Sequence, residues 1–158
     1  MEYYDSIADG YDELHKEEQL KKIRIIRDNL KIKKTDFLLD VGTGTGFALE
    51  LFDCRKIGID PSEELLKKAK GPVIKGKAEK LPFPNKMFNV VISITAVHHF
   101  DDIEKGLKEI KRVAKDKVAF SLLKKSPKFE NIKKLIKKLF KIKKEINEDK
   151  DLIMIGTI

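Results

Sequence analysis

Several residue types are scarce in this sequence of 158 residues, and each scarcity excludes a class of protein. Cys54 is the single cysteine, which excludes a disulfide framework and a zinc site built from cysteines. No stretch approaches the roughly 18 apolar residues that cross a bilayer. The segment 1–12 carries acids where a signal peptide needs lysines. We therefore expect a soluble, cytoplasmic protein that does not bind membranes.

Positive charge is distributed unevenly along the chain. Arginine supplies only four of the 34 basic residues, and 11 lysines but only four acidic residues lie between Lys124 and Lys150. This segment therefore holds nearly all of the net charge of +8. A lysine cluster can dock RNA or another polyanion, or it can be the solvated face of a protein with a thermophile-like composition. We expect the second, because lysine-rich tracts often occur without nucleic-acid binding.

Short apolar runs alternate with helical patterns along the chain. The predicted buried strands are Phe37–Val41, Lys56–Asp60, Pro72–Lys75, Asn89–Thr95 and Lys117–Leu123. The predicted helices are His15–Leu30, Pro61–Ala69, Asp101–Ala114 and a helix capped by Ser126, and the chain ends in a predicted hairpin. This alternation predicts an α/β fold: a doubly wound, mostly parallel, Rossmann-like sheet with a C-terminal antiparallel hairpin.

The length and the 41% of hydrophobic residues indicate one domain with a sizeable core. We expect this domain, residues 1–158, to have three parts. Residues 1–34 form an N-terminal helical lid segment, residues 35–123 form the cofactor-binding core, and residues 124–158 form a basic helix and the terminal hairpin.

A glycine-rich turn, Asp40-Val-Gly-Thr-Gly-Thr-Gly46, follows the first predicted strand. Glycine permits positive φ and close approach of a ligand, and open α/β sheets bind ligands beyond the carboxyl ends of their strands. Asp60 ends the next strand, where a carboxylate can accept bonds from two ribose hydroxyls. The motif that binds nicotinamide dinucleotides needs a third glycine at the position of Phe47, so this class of site is excluded. A phosphate-binding P-loop is also excluded, because no Gly-Lys-Ser/Thr follows the turn. The turn therefore predicts a nucleoside ligand without a buried pyrophosphate.

Several motifs, in the correct order, resemble the class I S-adenosylmethionine-dependent methyltransferases. They are Leu39–Gly46, Gly58–Ser62, Ala78–Pro84 and Phe88–Phe100. The last of these, together with the opening Tyr4–Asp12, resembles the small-molecule branch that includes the ubiquinone and menaquinone methyltransferases. The resemblance covers almost the whole chain. It implies S-adenosyl-L-methionine as cofactor and transfer of its sulfonium methyl group to an O, N or C nucleophile of a small molecule.

The resemblance also implies a role for each matching residue. The glycine turn contacts the methionine half of the cofactor, Asp60 holds the ribose, and Thr95 lies near the reacting sulfonium. Tyr4 or Tyr11 closes over the cofactor as a lid. The implied cofactor-binding residues are Tyr11, Asp40, Gly42, Thr43, Gly44, Gly46, Asp60, Pro61, Ala78, Glu79, Leu81 and Thr95.

One position departs from the family pattern in the segment implied to contact the adenine. The family usually has an aspartate where Lys77 stands, and that aspartate accepts a bond from the adenine amino group. An ammonium offers no acceptor. We expect Glu79 to replace it.

His98 and His99 are the candidate catalytic residues. Both follow the fourth predicted strand at the cofactor edge, and histidine titrates near neutrality. A general base helps only when the nucleophile must lose a proton. Packing or hydrogen bonding at a helix start is the alternative role for each histidine. We expect no metal site, because no aspartate and histidine spacing suggests one.

A small molecule is the expected methyl acceptor. RNA is the alternative, because Ile92-Ser-Ile and the histidine pair also resemble tRNA wobble-uridine methyltransferases, and the Lys124–Lys150 region suits phosphates. A protein amine ranks lower, because no Asn/Asp-Pro-Pro-Tyr/Phe motif follows the fourth strand. A non-catalytic, cofactor-binding scaffold subunit is the alternative from another class.

Overall fold

The computed structural model describes the backbone of residues 2–158 and the side chains of residues 14–158. The α-helices are α1 (Glu2–Leu30), α2 (Glu63–Leu66), α3 (Ile103–Val113) and α4 (Phe129–Leu139). The strands are β1 (Phe37–Val41), β2 (Arg55–Asp60), β3 (Val73–Lys75), β4 (Phe88–Ile94), β5 (Ala114–Leu123), β6 (Lys141–Glu148) and β7 (Asp151–Thr157). Short 3-10 helices lie at Phe47–Leu51, Ala78–Lys80 and Val97–His99.

The strands form one sheet in the order β3-β2-β1-β4-β5-β7-β6. Strands β1 to β5 pair in parallel, whereas β7 is antiparallel to both of its neighbours, β5 and β6. The strand order reverses between β1 and β4, which is where open α/β sheets bind ligands. The prediction of a mostly parallel sheet with a C-terminal antiparallel hairpin is confirmed.

The two faces of the sheet carry separate hydrophobic clusters. Leu38 and Leu39 of β1 belong to opposite clusters, because successive side chains of a strand point to opposite faces. One cluster joins the sheet to α1 and to the 3-10 helix Phe47–Leu51, and the other joins it to α3 and α4. Helix α1 contributes Ile23, Ile26 and Leu30, each at most 2% exposed.

Two of the predicted helices have different lengths in the structure. Helix α1 begins at Glu2 rather than His15, since an apolar period reports where a helix packs and not where it begins. Helix α2 ends at Leu66 rather than Ala69. The amide of Ala69 bonds three residues back, to the carbonyl of Leu66, so the chain leaves the helix in tight turns.

The start of one further helix also differs from the prediction. Ser126 is not the N-cap of α4, because Lys128 holds that position. The Ser126 hydroxyl instead accepts a hydrogen bond from the Lys128 amide, in the turn that precedes the helix. A 3-10 helix, Phe47–Leu51, follows the glycine turn. Among the described residues, no helix has the length and apolar character that crossing a membrane requires.

Candidate functional site

The glycine turn lies between the end of β1 and the 3-10 helix at Phe47. Gly42, Gly44 and Gly46 all have positive φ, at 81°, 57° and 74°, a region that residues with a Cβ seldom adopt. A Cβ on Gly42 would also collide with the Cβ of Ala96, which follows β4. The lack of a side chain at Gly42 therefore lets the segment after β4 pack directly against the turn.

Asp60, the last residue of β2, accepts a hydrogen bond from a backbone amide on each of its two carboxylate oxygens. Its Oδ2 accepts from the Gly44 amide at 2.9 Å, and its Oδ1 accepts from the Ser62 amide at 2.9 Å. The carboxylate is 8% exposed and therefore has a fixed position at the sheet edge. Each oxygen retains a lone pair that a bound hydroxyl can use.

Asp40, on β1, is a buried carboxyl with one unused oxygen. Its Oδ2 accepts from the Thr43 hydroxyl at 2.8 Å, and its Oδ1 has no hydrogen-bond partner among the described residues. Burial raises the pKa of Asp40 to about 7, the hydrogen bond from Thr43 opposes this shift, and nearby Asp60 adds to it. A buried acceptor without a donor is costly, so this oxygen suits a donor carried by a ligand.

Three cavities open along the carboxyl edge of the sheet. The central cavity, of about 360 Å³, lies between the glycine turn, Asp60 and the segments 76–79 and 95–101. The turn cavity, of about 470 Å³, lies on the other side of the glycine turn against α1. The hairpin cavity, of about 620 Å³, lies between α1 and the turn that joins β6 to β7. Thr95 lines both the central and the hairpin cavity.

The structure brings most of the sequence-predicted residues to these cavities. Asp40 and Thr43 line the turn cavity. Gly46 packs against Val73, where an added Cβ would lie 3.4 Å from Cγ1, and Leu81 is buried in the core. The side chain of Tyr11 lies outside the described residues, as does that of Tyr4. The predicted residues that line the central cavity are Gly42, Gly44, Asp60, Pro61, Ala78, Glu79, Thr95 and His99.

Lys77 lines the central cavity, but its ammonium has a partner of its own. Lys77 Nζ lies 3.3 Å from Asp101 Oδ2, and both side chains are mostly exposed. Glu79 accepts a hydrogen bond from the Asp102 amide at 3.0 Å, so one of its oxygens is already used. Lys77 and Glu79 both therefore bind the start of α3 at the rim of this cavity.

His98 and His99 stack on each other, with ring centroids 3.9 Å apart, and differ in their surroundings. His99 lines the central cavity. The pKa of His98 is lowered by burial first, and also by the electrostatic effect of nearby His99 and Lys128, while Asp151 opposes the shift. His98 is therefore a neutral imidazole at neutral pH, and its carbonyl accepts from Lys128 Nζ at 3.2 Å.

A buried polar network beside Thr95 was missed by the sequence analysis. The Thr95 hydroxyl donates to Asp151 Oδ2 at 2.9 Å, and Lys22 Nζ donates to the same oxygen at 3.1 Å. The Thr95 amide donates to the carbonyl and the hydroxyl of Ser121. Lys22 lies four residues before the buried Ile26 in α1, and that spacing places it on the apolar face. A lysine on an apolar face was the available signal.

Arg112 and Glu109 of α3 were also missed. The Arg112 guanidinium donates to the carbonyls of Leu81 and Phe83 at 2.9 and 2.7 Å, and Glu109 accepts from the Leu81 amide at 3.0 Å. The two side chains are bonded to each other, with Nε to Oε2 at 2.6 Å. They therefore hold residues 81–83 in place, directly after Ala78, which lines the central cavity.

These residues fit S-adenosylmethionine. Gly42 and Gly44 line the central and turn cavities, Asp40 has a buried oxygen without a donor among the described residues, and Asp60 presents a fixed carboxylate. A nucleoside with ribose hydroxyls and an ammonium group supplies the donors that these carboxylates can accept. Among the described residues, no group of His, Cys, Asp and Glu side chains could hold a metal ion.

Comparisons with known proteins agree with this geometry. Residues 39–122 match the family model described as a methyltransferase domain. An uncharacterized protein of Methanocaldococcus jannaschii is 38% identical over 119 residues, which cover 73% of this chain and 47% of that protein. The demethylmenaquinone methyltransferase of Chlorobaculum tepidum is 34% identical over 98 residues, which cover 56% of this chain and 40% of that protein. The chain spans less than half the length of these curated relatives.

Two solved structures share the fold at lower sequence identity. A SAM-dependent methyltransferase from Aquifex aeolicus matches with a TM-score of 0.73 and 22% identity, covering 86% of this chain and 89% of that chain. A chain in the complex of the Haloferax volcanii Trm112 methyltransferase activator matches with a TM-score of 0.78 and 17% identity, covering 98% and 96% of the two chains. The family match over residues 39–122 shows that the chain belongs to the methyltransferase domain family, and the two solved structures show that it shares their fold.

Proposed function

We propose that this chain transfers the methyl group of S-adenosylmethionine to a nucleophile on a small molecule. The observation that carries the proposal is the pair of cavities that meet at Thr95. One cavity has the carboxylate and the glycine turn suited to the cofactor, and the other is a separate recess of about 620 Å³. That volume lies within the usual range of small-molecule sites.

The residues around the central and turn cavities would hold the cofactor. Asp60 would accept bonds from the ribose hydroxyls, while the amides of Gly44 and Ser62 keep its carboxylate in place. Asp40 Oδ1 would accept a bond from the ammonium of the methionine part. When bound, the cofactor supplies a methyl group on a sulfonium, which is already a strong methyl donor. The chain's main task is therefore to place the acceptor in line with that methyl group.

Calorimetric titration with S-adenosylhomocysteine tests the cofactor site. We expect Asp60→Asn to weaken binding by about ten-fold or more, because the amide replaces one of the two oxygens that accept from the ribose. Asp53→Asn is the matched control, since the Asp53 side chain is 88% exposed and pairs only with Lys34 in the described structure. Equal affinity in the wild type and Asp60→Asn would contradict the assigned role of Asp60.

RNA is the second candidate acceptor, and the lysines between Lys124 and Lys150 favour it. Part of their charge is already paired, because Lys133 and Lys137 both contact Glu145. Incubation of a cell extract with methyl-labelled S-adenosylmethionine separates the candidates. Label in the low-molecular-weight fraction supports a small acceptor, whereas labelled macromolecule that ribonuclease removes supports RNA. Tight cofactor binding without any transfer would support a scaffold subunit instead.

A further inference from the structure

We propose that the hairpin cavity binds an amine as the methyl acceptor, and that Asp151 is the residue that binds the amine nitrogen. The inference rests on the proposed function, because it assigns the acceptor side of the same site. It concerns three side chains that the sequence motifs do not include: Lys22, Ser121 and Asp151.

The position of Asp151 follows from the register of the sheet. Asp151 is the first residue of β7 and pairs with Leu123 at the end of β5, while Ser121 pairs with Ile94 at the end of β4. The antiparallel β7 thus begins at the edge where the parallel strands end. Asp151 therefore lies beside Thr95, the residue that lines both the central and the hairpin cavity.

The Lys22–Asp151 pair is buried, with side chains 9% and 2% exposed. Buried ion pairs contribute little net stability, because removing two charges from water offsets their attraction. Thr95 adds a second, independent observation at the same point. Its φ is 50°, a strained conformation for a β-branched residue. Buried charge and backbone strain occur together at functional sites, and here both occur where the two cavities meet.

The charges around the hairpin cavity favour a cationic group over an anionic one. Lys22 is paired with Asp151, and Lys21 lies 3.3 Å from Glu148. The other titratable side chains of the lining are His15, Glu18, Asp149 and Lys150, so the lining has four carboxylates and three ammonium groups. The excess of one carboxylate favours a cationic amine over a phosphate group in this cavity.

The chemistry of Asp151 favours nitrogen over a hydroxyl as nucleophile. Both observed bonds to Asp151 end on Oδ2, so Oδ1 can accept an N–H from a molecule in the cavity. A carboxylate is too weak a base to remove the proton of a hydroxyl group efficiently. An amine that has lost its extra proton to water needs no base during the transfer.

The transfer to an amine balances without any further reactant. The nitrogen lone pair forms the new C–N bond while the bond between the methyl carbon and sulfur breaks and its electron pair stays on sulfur. The nitrogen becomes positively charged beside the Asp151 carboxylate, whose Oδ2 also pairs with Lys22. The extra proton then passes to water as the product leaves. Lys22 and Thr95 act as positioning residues, because their bonds hold the carboxylate in place.

Two cofactor analogues test the inference without an identified acceptor. One is S-adenosylhomocysteine, and the other is sinefungin, in which a carbon bearing an amino group replaces the sulfur. That amino group occupies the place of the transferred methyl group and points toward the acceptor. We expect the wild-type protein to bind sinefungin about ten-fold more tightly than S-adenosylhomocysteine by calorimetry, because its ammonium reaches Asp151.

The variant Asp151→Asn is expected to lose this preference while its affinity for S-adenosylhomocysteine stays within about two-fold of the wild type. Asp116→Asn, an exposed carboxylate near the other end of β5, is the matched control and should keep the preference. Equal affinity of the wild type for both analogues overturns the inference, even if Asp151→Asn does not fold. A preference retained in Asp151→Asn also overturns it. Absence of binding of both analogues to the wild type overturns the proposed function itself.

Discussion

The carboxyl of Asp40 shows how the fold controls the ionisation of a single residue. Its side chain is 2% exposed, and burial raises its pKa from 3.8 to about 7. At a pH between these two pKa values, Asp40 therefore keeps its proton in the folded protein, whereas it has lost the proton in the unfolded chain. Stability from this proton is fully present below about pH 4 and is lost as the pH rises through 7.

Urea unfolding at pH 5 and pH 8 should reveal this linkage. Asp40→Asn cannot ionise, so the variant lacks the contribution of this residue to the pH dependence. We expect the free energy of unfolding of the wild type to fall, relative to the variant, by up to about 3 kcal/mol between the two pH values. The exposed Asp53→Asn is the control and should follow the wild type. Parallel pH dependence of the wild type and Asp40→Asn would show that Asp40 is ionised throughout this range.

Single residues could be predicted from the sequence only where a local motif contains them. Asp40 and Asp60 follow from the glycine turn and from the end of the next strand, and the structure places both at cavities. Lys22 and Asp151 are 129 positions apart in sequence and meet only because β7 is inserted beside β5. Thr95, which has a positive φ, likewise donates its amide hydrogen bond to Ser121, which lies in β5.

Helix α3 does more than cover the sheet, because one of its faces also holds the chain beside the central cavity. Arg112 donates to two carbonyls of the segment 81–85, and Glu109 accepts from an amide of the same segment. The bond from Arg112 lowers the pKa of Glu109, which keeps the carboxylate ionised. The pair thus links the position of α3 to the shape of the cavity wall.

Arg112→Lys should weaken this connection, because a lysine has no planar group that donates to several acceptors at once. We expect the melting temperature to fall by about 2–4 °C for each kcal/mol lost, together with weaker binding of S-adenosylhomocysteine. Thermal unfolding and calorimetry measure the two effects. Lys108→Ala is the matched control, since Lys108 is exposed on the same helix and contacts only Glu104 in the described structure. Unchanged melting and affinity in Arg112→Lys would contradict the role given to α3.

Strands were easier to predict than helices in this chain. The central parts of β1 and β4 are buried on both faces, so each appears in the sequence as a short apolar run, Phe37–Leu39 and Val90–Ile92. The length of α2 depends on hydrogen bonds at its end, and the first half of α1 has no apolar period. Neither feature leaves a clear pattern in the sequence.

At the scale of the whole molecule, most lysines of the segment 124–150 lie outside the linings of the three cavities, and Lys150 of the hairpin cavity is the exception. The 11 lysines of the segment 124–150 lie mainly on α4 and β6. The hairpin cavity, in contrast, has more carboxylates than ammonium groups in its lining. A phosphate backbone held by α4 would therefore meet repulsion at the acceptor cavity. This separation favours a small acceptor and a solvated basic face.

Charge reversal on α4 tests this separation. Lys134 and Lys138 are exposed, so the double substitution Lys134→Glu and Lys138→Glu should leave the fold intact. We expect the labelling of low-molecular-weight extract components, and the affinity for S-adenosylhomocysteine, to stay within about two-fold of the wild type. Retention of the protein on immobilised RNA should fall, because each lost phosphate contact weakens nonspecific binding. Loss of methyl transfer with unchanged S-adenosylhomocysteine affinity would contradict the small-molecule proposal, because α4 would then be part of the acceptor site.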